Sequence, residues 1–273
     1  MRHARLALAL VVIALPLAAQ QPPSFRGATV TTIRASGDLR RQITSLGNPN
    51  ETVWAGYNVP VIGAHHVEIC CSSHCGTCAL EGENTNITYV EGDELATSVA
   101  LLYRIRDHEI TKIRPFSSCA VEASGARIYW IEGVEQTASV NMLAAMAKGD
   151  DSAGKRAVFA LSLHAGGTDA LIDLAHHAER SKVRSEALFW LAQSAAEKAG
   201  RALRDAVDND PDDEVRGKAV FAISQLPADQ SIPLLADLMR NHRSKTVRKK
   251  AAFWLGQTND PRALEAIEGY LRQ

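Results

Sequence analysis

The chain has 273 residues, of which 46% are hydrophobic, a size that suffices for one large core or two modest domains. Its 30 Lys and Arg residues nearly balance its 31 Asp and Glu residues. The balance leaves no basic excess of the kind that favours a nucleic-acid partner, and no acidic excess typical of a disordered tail. Composition therefore indicates a folded protein that does not bind nucleic acid through its global charge.

The first 19 residues are typical of a secretory signal peptide. Arg2 and Arg5 form a short positive region, residues 6–15 are an apolar run, and small residues before Gln20 provide a cleavage point. A membrane anchor is the alternative, but the apolar run is shorter than the roughly 20 residues that span a bilayer. We expect an exported protein, periplasmic or extracellular after cleavage, with no membrane insertion.

Residues 28–134 alternate with a period of two and are rich in β-branched residues, so they predict a small antiparallel β-rich domain. Early strands are expected at residues 28–34 and 53–62, the second interrupted by Gly56. The polar, glycine-containing stretch 81–93 predicts a loop.

Two hairpins are expected in the second half of this domain. The first joins Val99–Ile105 to Ile110–Pro115 through a four-residue turn. The second joins residues 119–122 to residues 127–131 through a turn at Ser124 and Gly125.

All the cysteines of the chain lie in this β-rich domain. In an exported protein they are disulfide candidates, and because their number is odd, one thiol is left free or bonded to another molecule. Two alternatives stay open: the Cys75–Cys78 spacing, with other cysteines or histidines nearby, also suits zinc, and it suits a redox-active pair. We assign no metal and no cofactor. The candidates are Cys70, Cys71, Cys75, Cys78 and Cys119.

From residue 135 the period becomes helical, which predicts a linking helix at 135–149 and a repeat domain at 150–273. Within the repeat domain one segment recurs at offsets of 30, 32 and 32 residues, and an apolar second helix follows each copy. A single hairpin cannot bury its apolar face, whereas stacked hairpins can, so we predict a solenoid of about four hairpins. The copies are Ala157–Leu161, Ala187–Leu191, Ala219–Ile223 and Ala251–Leu255.

A Val-Arg pair precedes the Ala in three of the four copies, ending in Arg184, Arg216 and Arg248, whereas the first copy has Ala153-Gly154. This Val-Arg-x-x-Ala-x-x-x-Leu/Ile helix, with its short turn and Leu-rich second helix, resembles HEAT repeats of the compact bacterial type also seen in phycobilin lyases. Tetratricopeptide repeats are the alternative with a similar period. The HEAT resemblance covers about 120 residues and implies a concave surface for protein partners, with no chemistry of its own.

Two rows of side chains in the repeats are candidates for binding. Arg184, Arg216 and Arg248 either bind an acidic protein partner or bond to carboxylates and carbonyls of the adjacent unit. The phenylalanine row, with Trp190 and Trp254, either belongs to the core or lines a ligand groove.

We therefore predict an α+β protein in which an antiparallel β-rich domain precedes an all-α, HEAT-like solenoid. Its predicted function is that of an exported, non-catalytic scaffold whose concave face, formed by the second helices, binds a protein. A metal-binding or thiol-redox module at Cys70–Cys78 is the alternative, and the family resemblance adds chromophore handling as a further one. The sequence contains no hydrolase motif and no phosphate-binding loop that would assign a catalytic residue.

Overall fold

The computed structural model describes residues 21–61, 67–70, 77–82, 86–89, 98–117, 119–149, 151–193 and 198–272. Strands occupy the N-terminal part and helices the C-terminal part, which confirms the predicted α+β class. The predicted signal peptide lies outside the described residues. Among the helices that are described, none combines the length and apolar character needed to cross a bilayer.

The β region extends from β1 to β10 and includes one short helix, α1 (Leu39–Thr44), between β2 and β3. Its longest strands are β3 and β7, and β3 is buried on both faces, as expected of a strand inside a sheet. The strands are β1 (Phe25–Arg26), β2 (Thr29–Arg34), β3 (Thr52–Pro60), β4 (Val67–Cys70), β5 (Thr77–Ala79), β6 (Asn86–Tyr89), β7 (Ser98–Arg106), β8 (Glu109–Phe116), β9 (Ala120–Glu122) and β10 (Arg127–Glu132).

The largest sheet has the strand order β2-β10-β3-β7-β8. The predicted first hairpin is confirmed, because β7 and β8 are antiparallel neighbours, and β3 is antiparallel to β7. However, β10 runs parallel to both β2 and β3, so the sheet is mixed and the expectation of an antiparallel sheet is wrong here. Residue alternation reports which face a side chain occupies but not the direction of the neighbouring strand, so the pattern did not reveal the crossover.

The predicted second hairpin is also wrong. The turn is present, with Ser124 and Gly125 at φ 48° and 85°, but the strands on its two sides enter different sheets. Strand β9 runs parallel to β1 and β5 in a three-stranded sheet, whereas β10 inserts between β2 and β3. Part of the predicted loop at 81–93 is also a strand, because β6 pairs with β4 in an antiparallel ladder.

Gly56 lies within β3 and does not interrupt it. The residue faces Leu102 of β7 on one side and Trp130 of β10 on the other. A Cβ atom at this position would lie 2.3 Å from Leu102 Cδ2 and 3.2 Å from Trp130 Cζ3. Glycine is therefore required by the close approach of two neighbouring side chains, and not by a turn.

Helix α2 (Gln136–Ala147) occupies the predicted linking segment, and eight helices, α3 to α10, follow it in the described part of the chain. They form four hairpins, as the repeat predicts. First helices pack on first helices (α3, α5, α7, α9), and second helices pack on second helices (α4, α6, α8, α10). The bounds are α3 (Ser152–Leu163), α4 (Gly167–His177), α5 (Ser181–Gln193), α6 (Ala199–Asn209), α7 (Asp213–Ser224), α8 (Ala228–Asn241), α9 (Lys245–Gly256) and α10 (Pro261–Leu271).

One apolar core runs from a face of the large sheet through α2 and α3 into the repeats. At the junction, the hydroxyl of Tyr57 lies 2.7 Å from that of Tyr103 and 2.9 Å from that of Ser139 on α2. The backbone N–H of Ala165 donates to the carbonyl of Pro60 at 2.7 Å. The β region is therefore joined to α2 by apolar packing and a buried hydrogen bond, and to the first helical hairpin by apolar packing and a backbone hydrogen bond.

Candidate functional site

Arg184 is buried between the first two repeat units. Its Nε and Nη2 donate to the two carboxylate oxygens of Asp210 at 2.7 and 3.0 Å, and the side chains are only 8% and 4% exposed. Its Nη1 donates to the carbonyls of Ala178 and Glu179. The hydrogen bonds that Arg184 donates to Asp210 raise the pKa of Arg184, as expected of a bidentate, charge-assisted pair. A guanidinium in this position has no surface to offer to a partner.

Arg216 and Arg248 repeat one part of this geometry. Each donates an Nη1 hydrogen bond to the residue that ends the preceding second helix: Arg216 to the carbonyl of Asp210, and Arg248 to that of His242 at 2.6 Å. These are carbonyls that the helix itself leaves without a donor. The geometry thus favours the structural interpretation of the arginine row, while partner binding by the two half-buried members, Arg216 and Arg248, stays a prediction.

Asp210 is the residue that sequence reasoning missed. It is the residue that ends α6, it is buried, and one of its carboxylate oxygens also accepts from the backbone N–H of Asp212 at 2.9 Å. In the next unit the same position is His242, whose Nδ1 accepts from the N–H of Ser244 at 3.0 Å. The two residues share a position and a local hydrogen bond but not a residue type, so the sequence comparison did not align them.

Cys78 and Cys119 are brought together by adjacent strands. Cys78 lies on β5, Cys119 immediately precedes β9, and the two strands pair with Thr77 opposite Ala120. Both side chains are buried in a second core on the other face of the large sheet, beside Trp130, and neither is a free thiol. A sulfur in such surroundings is poorly placed to exchange with an external disulfide.

The remaining cysteine candidates are not described. Cys71 and Cys75 lie outside the described residues, as does the side chain of Cys70. Within the described ranges no three His, Cys, Asp or Glu side chains are grouped so that they could hold a metal ion. The disulfide, zinc and redox interpretations of the cluster therefore all stay predictions.

The aromatic row packs one repeat unit on the next. Trp190 lies 4.6 Å, centroid to centroid, from Phe159 of the preceding unit, and Trp254 lies 4.9 Å from Phe221 in the same way. Phe159 is buried, whereas Phe253, in the last hairpin, is 56% exposed. The row therefore serves inter-unit packing, and its exposure is greatest at Phe253.

The second helices are joined to one another by ion pairs across their exposed side. Lys198 Nζ of the α6 unit lies 2.9 Å from Asp169 Oδ1 of α4. Arg204 of α6 pairs with Asp237 of α8, and the hydrogen bonds of Asn241 and Arg204 lower the pKa of Asp237. These contacts fix neighbouring second helices relative to one another and leave a polar surface with charges of both signs. We call this surface, formed by α4, α6, α8 and α10, the second-helix face.

Comparison with known proteins agrees with the repeat geometry. The family model for HEAT repeats matches residues 168–241 and 200–273. Residues 168–273 are HEAT repeats. The predicted resemblance is thus confirmed for residues 168–273, and the match begins within α4, after the atypical first helix α3. We call the four hairpins α3–α10 the HEAT region.

Two solved structures show limited similarity to the chain. Human deoxyhypusine hydroxylase in complex with glycerol aligns over 43% of this chain and 42% of its own, with 22% identity and a TM-score of 0.36. A de novo designed 16-helix transmembrane nanopore aligns over 50% of this chain and 42% of its own, with 24% identity and a TM-score of 0.13. The chain thus spans less than half of either protein, and at these TM-scores neither contributes to the functional argument. A comparison with curated proteins found no match.

Proposed function

We propose that this chain is an exported, non-catalytic scaffold that binds a protein partner on the second-helix face. The observation that carries the proposal is the contrast between the arginine row and the second-helix face. The arginine row is directed into the turns, where Asp210 and helix-end carbonyls satisfy it. The second-helix face keeps its charges at the surface.

Several polar side chains on this face are accessible, with acidic and basic residues among them. Asp173 and His177 of α4 have side-chain exposures of 62% and 73%, and Lys198 beside α6 has 56%. Charges of both signs, held at fixed spacing on packed helices, favour a polar protein surface or peptide over a uniformly charged polymer. A row of stacked hairpins supplies the extended surface that such a partner needs.

Photo-crosslinking at a single position tests this assignment. A photoreactive amino acid at His177, on the second-helix face, is expected to capture a discrete protein in cells of the source organism. The matched control places the same amino acid at Lys218, which is 50% exposed on the first helix α7. Equal capture at both positions, or capture only at Lys218, would count against the second-helix face.

The proposal of export is supported by the N-terminal sequence and by the state of the two described cysteines. Neither Cys78 nor Cys119 is a free thiol, and both are buried, which suits structural disulfides in an oxidising compartment. We propose two disulfides and one remaining thiol among the five cysteines. Nothing in the geometry of the described residues favours the metal, redox or chromophore alternatives.

Alkylation of the denatured, unreduced protein, followed by mass spectrometry, tests the disulfide proposal. The expected result is one alkylated cysteine, with Cys78 and Cys119 protected until a reductant is added. Five alkylated cysteines, or zinc bound in stoichiometric amount, would contradict it. The mass of the N-terminal peptide from the exported protein tests cleavage before Gln20 in the same sample.

A further inference from the structure

The outer side of the last hairpin, α9–α10, is similar to the surface that each inner hairpin uses to pack against the next one. In the preceding hairpin the positions 32 residues earlier are covered by α9 and α10, and Val220, Ile232 and Met239 among them are buried. In the last hairpin the apolar residues Leu264 and Leu271 are 59% and 75% exposed. We call this surface the end face; it comprises Lys249, Ala252, Phe253, Leu264, Glu268 and Leu271.

Two charges lie in the middle of the end face, where the hairpin α7–α8 has small residues. Lys249 corresponds to Gly217, whose Cα is covered by the side chain of Lys250, and Glu268 corresponds to Ala236. In the hairpin α5–α6 the position of Glu268 is occupied by Arg204, which pairs with Asp237 of the following hairpin, so a charge at this position needs a partner on the surface that covers it. A surface that presents the same two charges in exchanged positions would pair them, and the end face itself is such a surface.

We propose that the end face is the two-fold interface of a homodimer. The opposite end of the row of first helices is closed, because α3 packs against α2 and β8. Copies of the chain therefore cannot stack head to tail through these two ends. When two end faces associate, each copy contributes the same surface, so the assembly is complete with two copies.

The antiparallel arrangement of α9 and α10 sets the register of this dimer. Lys249 lies seven residues before the end of α9 and Glu268 seven residues after the start of α10, so both lie roughly 10 Å from the connecting turn. A two-fold axis between the two helices and parallel to them lays α9 of one copy on α10 of the other. Lys249 then meets Glu268 of the second copy, and Phe253 meets Leu264 of the second copy at the same spacing from the turn.

The charges are available for this exchange. Glu268 accepts from Arg272 at 2.8 Å, an exposed pair within one helix whose side chains are 49% and 77% exposed. Pairs of this kind contribute little to stability, so Glu268 can change partner at small cost. Among the charged residues of α9 none is acidic, so its face is positive where the face of α10 carries Glu265 and Glu268.

Sedimentation equilibrium of the full chain over roughly 1–100 µM tests the proposal. The expected result is a dimer for the wild-type protein, and at least tenfold weaker association for Leu264→Glu, Lys249→Glu and Glu268→Lys. The double variant Lys249→Glu/Glu268→Lys restores the dimer because the pair is exchanged. The controls are Val30→Glu, which changes another exposed apolar residue, and Lys218→Glu, which changes an exposed lysine away from the end face.

Three results would overturn the proposal. They are a wild-type protein that stays monomeric over this range, a dimer that both single charge variants leave intact, and a double variant that stays dissociated. All of the substituted positions are exposed, so far-UV circular dichroism and thermal unfolding are expected to show folded variants. Partner binding on the second-helix face is measured separately, so either proposal can fail without the other.

Discussion

The HEAT region and the β region bury their cores through contacts of very different range. In the HEAT region each helix packs on the helices next to it along the chain, in the same or the adjoining unit, or on the equivalent helix about 32 residues away. In the β region β10 lies between β2 and β3, and pairs Arg127 with Thr29. A repeated local pattern therefore specifies the first architecture, whereas the second depends on which distant strands meet.

The two regions nevertheless share a core, so substitutions on either side test whether they unfold together. If the regions are one folding unit, substitutions on either side will lower a common stability. If they are separate units, each substitution will affect only its own side.

The largest effect is expected for Arg184→Ala. The substitution removes the partner of the buried Asp210 carboxylate and the donor to two helix-end carbonyls, so the free energy of unfolding should fall by about 3 kcal/mol. Urea denaturation measures it. Arg248→Ala is the matched control in the same row: it loses only hydrogen bonds to carbonyls, and about 1 kcal/mol is expected. Equal losses would show that the Asp210 pair has no special role.

Gly56→Ala is expected to have the next largest effect, on the β side of the comparison. The new Cβ would press on Leu102 and Trp130 inside the large sheet, which should cost about 2 kcal/mol. Gly269→Ala is the control, because nothing lies within 4 Å of a Cβ there, and in a helix alanine is expected to stabilise by about 0.5–1 kcal/mol. A neutral Gly56→Ala would contradict the packing of β10 beside β3.

Tyr57→Phe tests the junction itself. Burial raises the pKa of Tyr57 to about 12, so its hydroxyl stays protonated and bonds to Tyr103 and Ser139. Losing it should cost about 1–2 kcal/mol. Because the core is shared, in a Trp190→Phe/Trp254→Phe background the fluorescence of Trp54 and Trp130 and the helical circular dichroism should shift to lower denaturant together. Movement of the fluorescence transition alone would separate the two regions.

The smallest expected effect is a pH dependence from His164, a fully buried residue at the same junction. Burial lowers its pKa, so the unfolded chain takes up a proton more readily than the folded one. The stability is thus complete above the ordinary pKa of about 6.5 and decreases as the pH falls below it. His164→Asn should show a smaller loss between pH 7.5 and 5.5 than the wild type in urea denaturation.

His108→Asn is the control for this pH dependence. His108 is exposed in a turn and has φ 64°, a left-handed conformation that asparagine tolerates. The control should keep the wild-type slope of stability against pH. A wild-type slope in His164→Asn as well would assign the pH dependence to other groups.

The candidate site was only partly accessible from the sequence. The recurrence of Arg184, Arg216 and Arg248 identified a row, and its structural alternative was recognised, but the carboxylate that pairs with Arg184 was not. Asp210 is 26 residues away and is replaced by His242 in the next unit, so no repeated residue type marked it. The ion pairs of the second-helix face involve irregularly spaced residues, for which a repeat alignment has no signal.

The amino-acid pattern alone predicts the four hairpins of the HEAT region, the β7–β8 hairpin and the α+β class. Each of these depends on contacts between residues close along the chain or related by a short period, so local pattern suffices. Three other features are visible only in the folded chain: β9 and β10 enter different sheets, Gly56 lets the side chains of Leu102 and Trp130 approach closely, and one core joins both regions. These features depend on which distant surfaces meet, and a residue pattern specifies the surface that each element offers but not the surface that covers it.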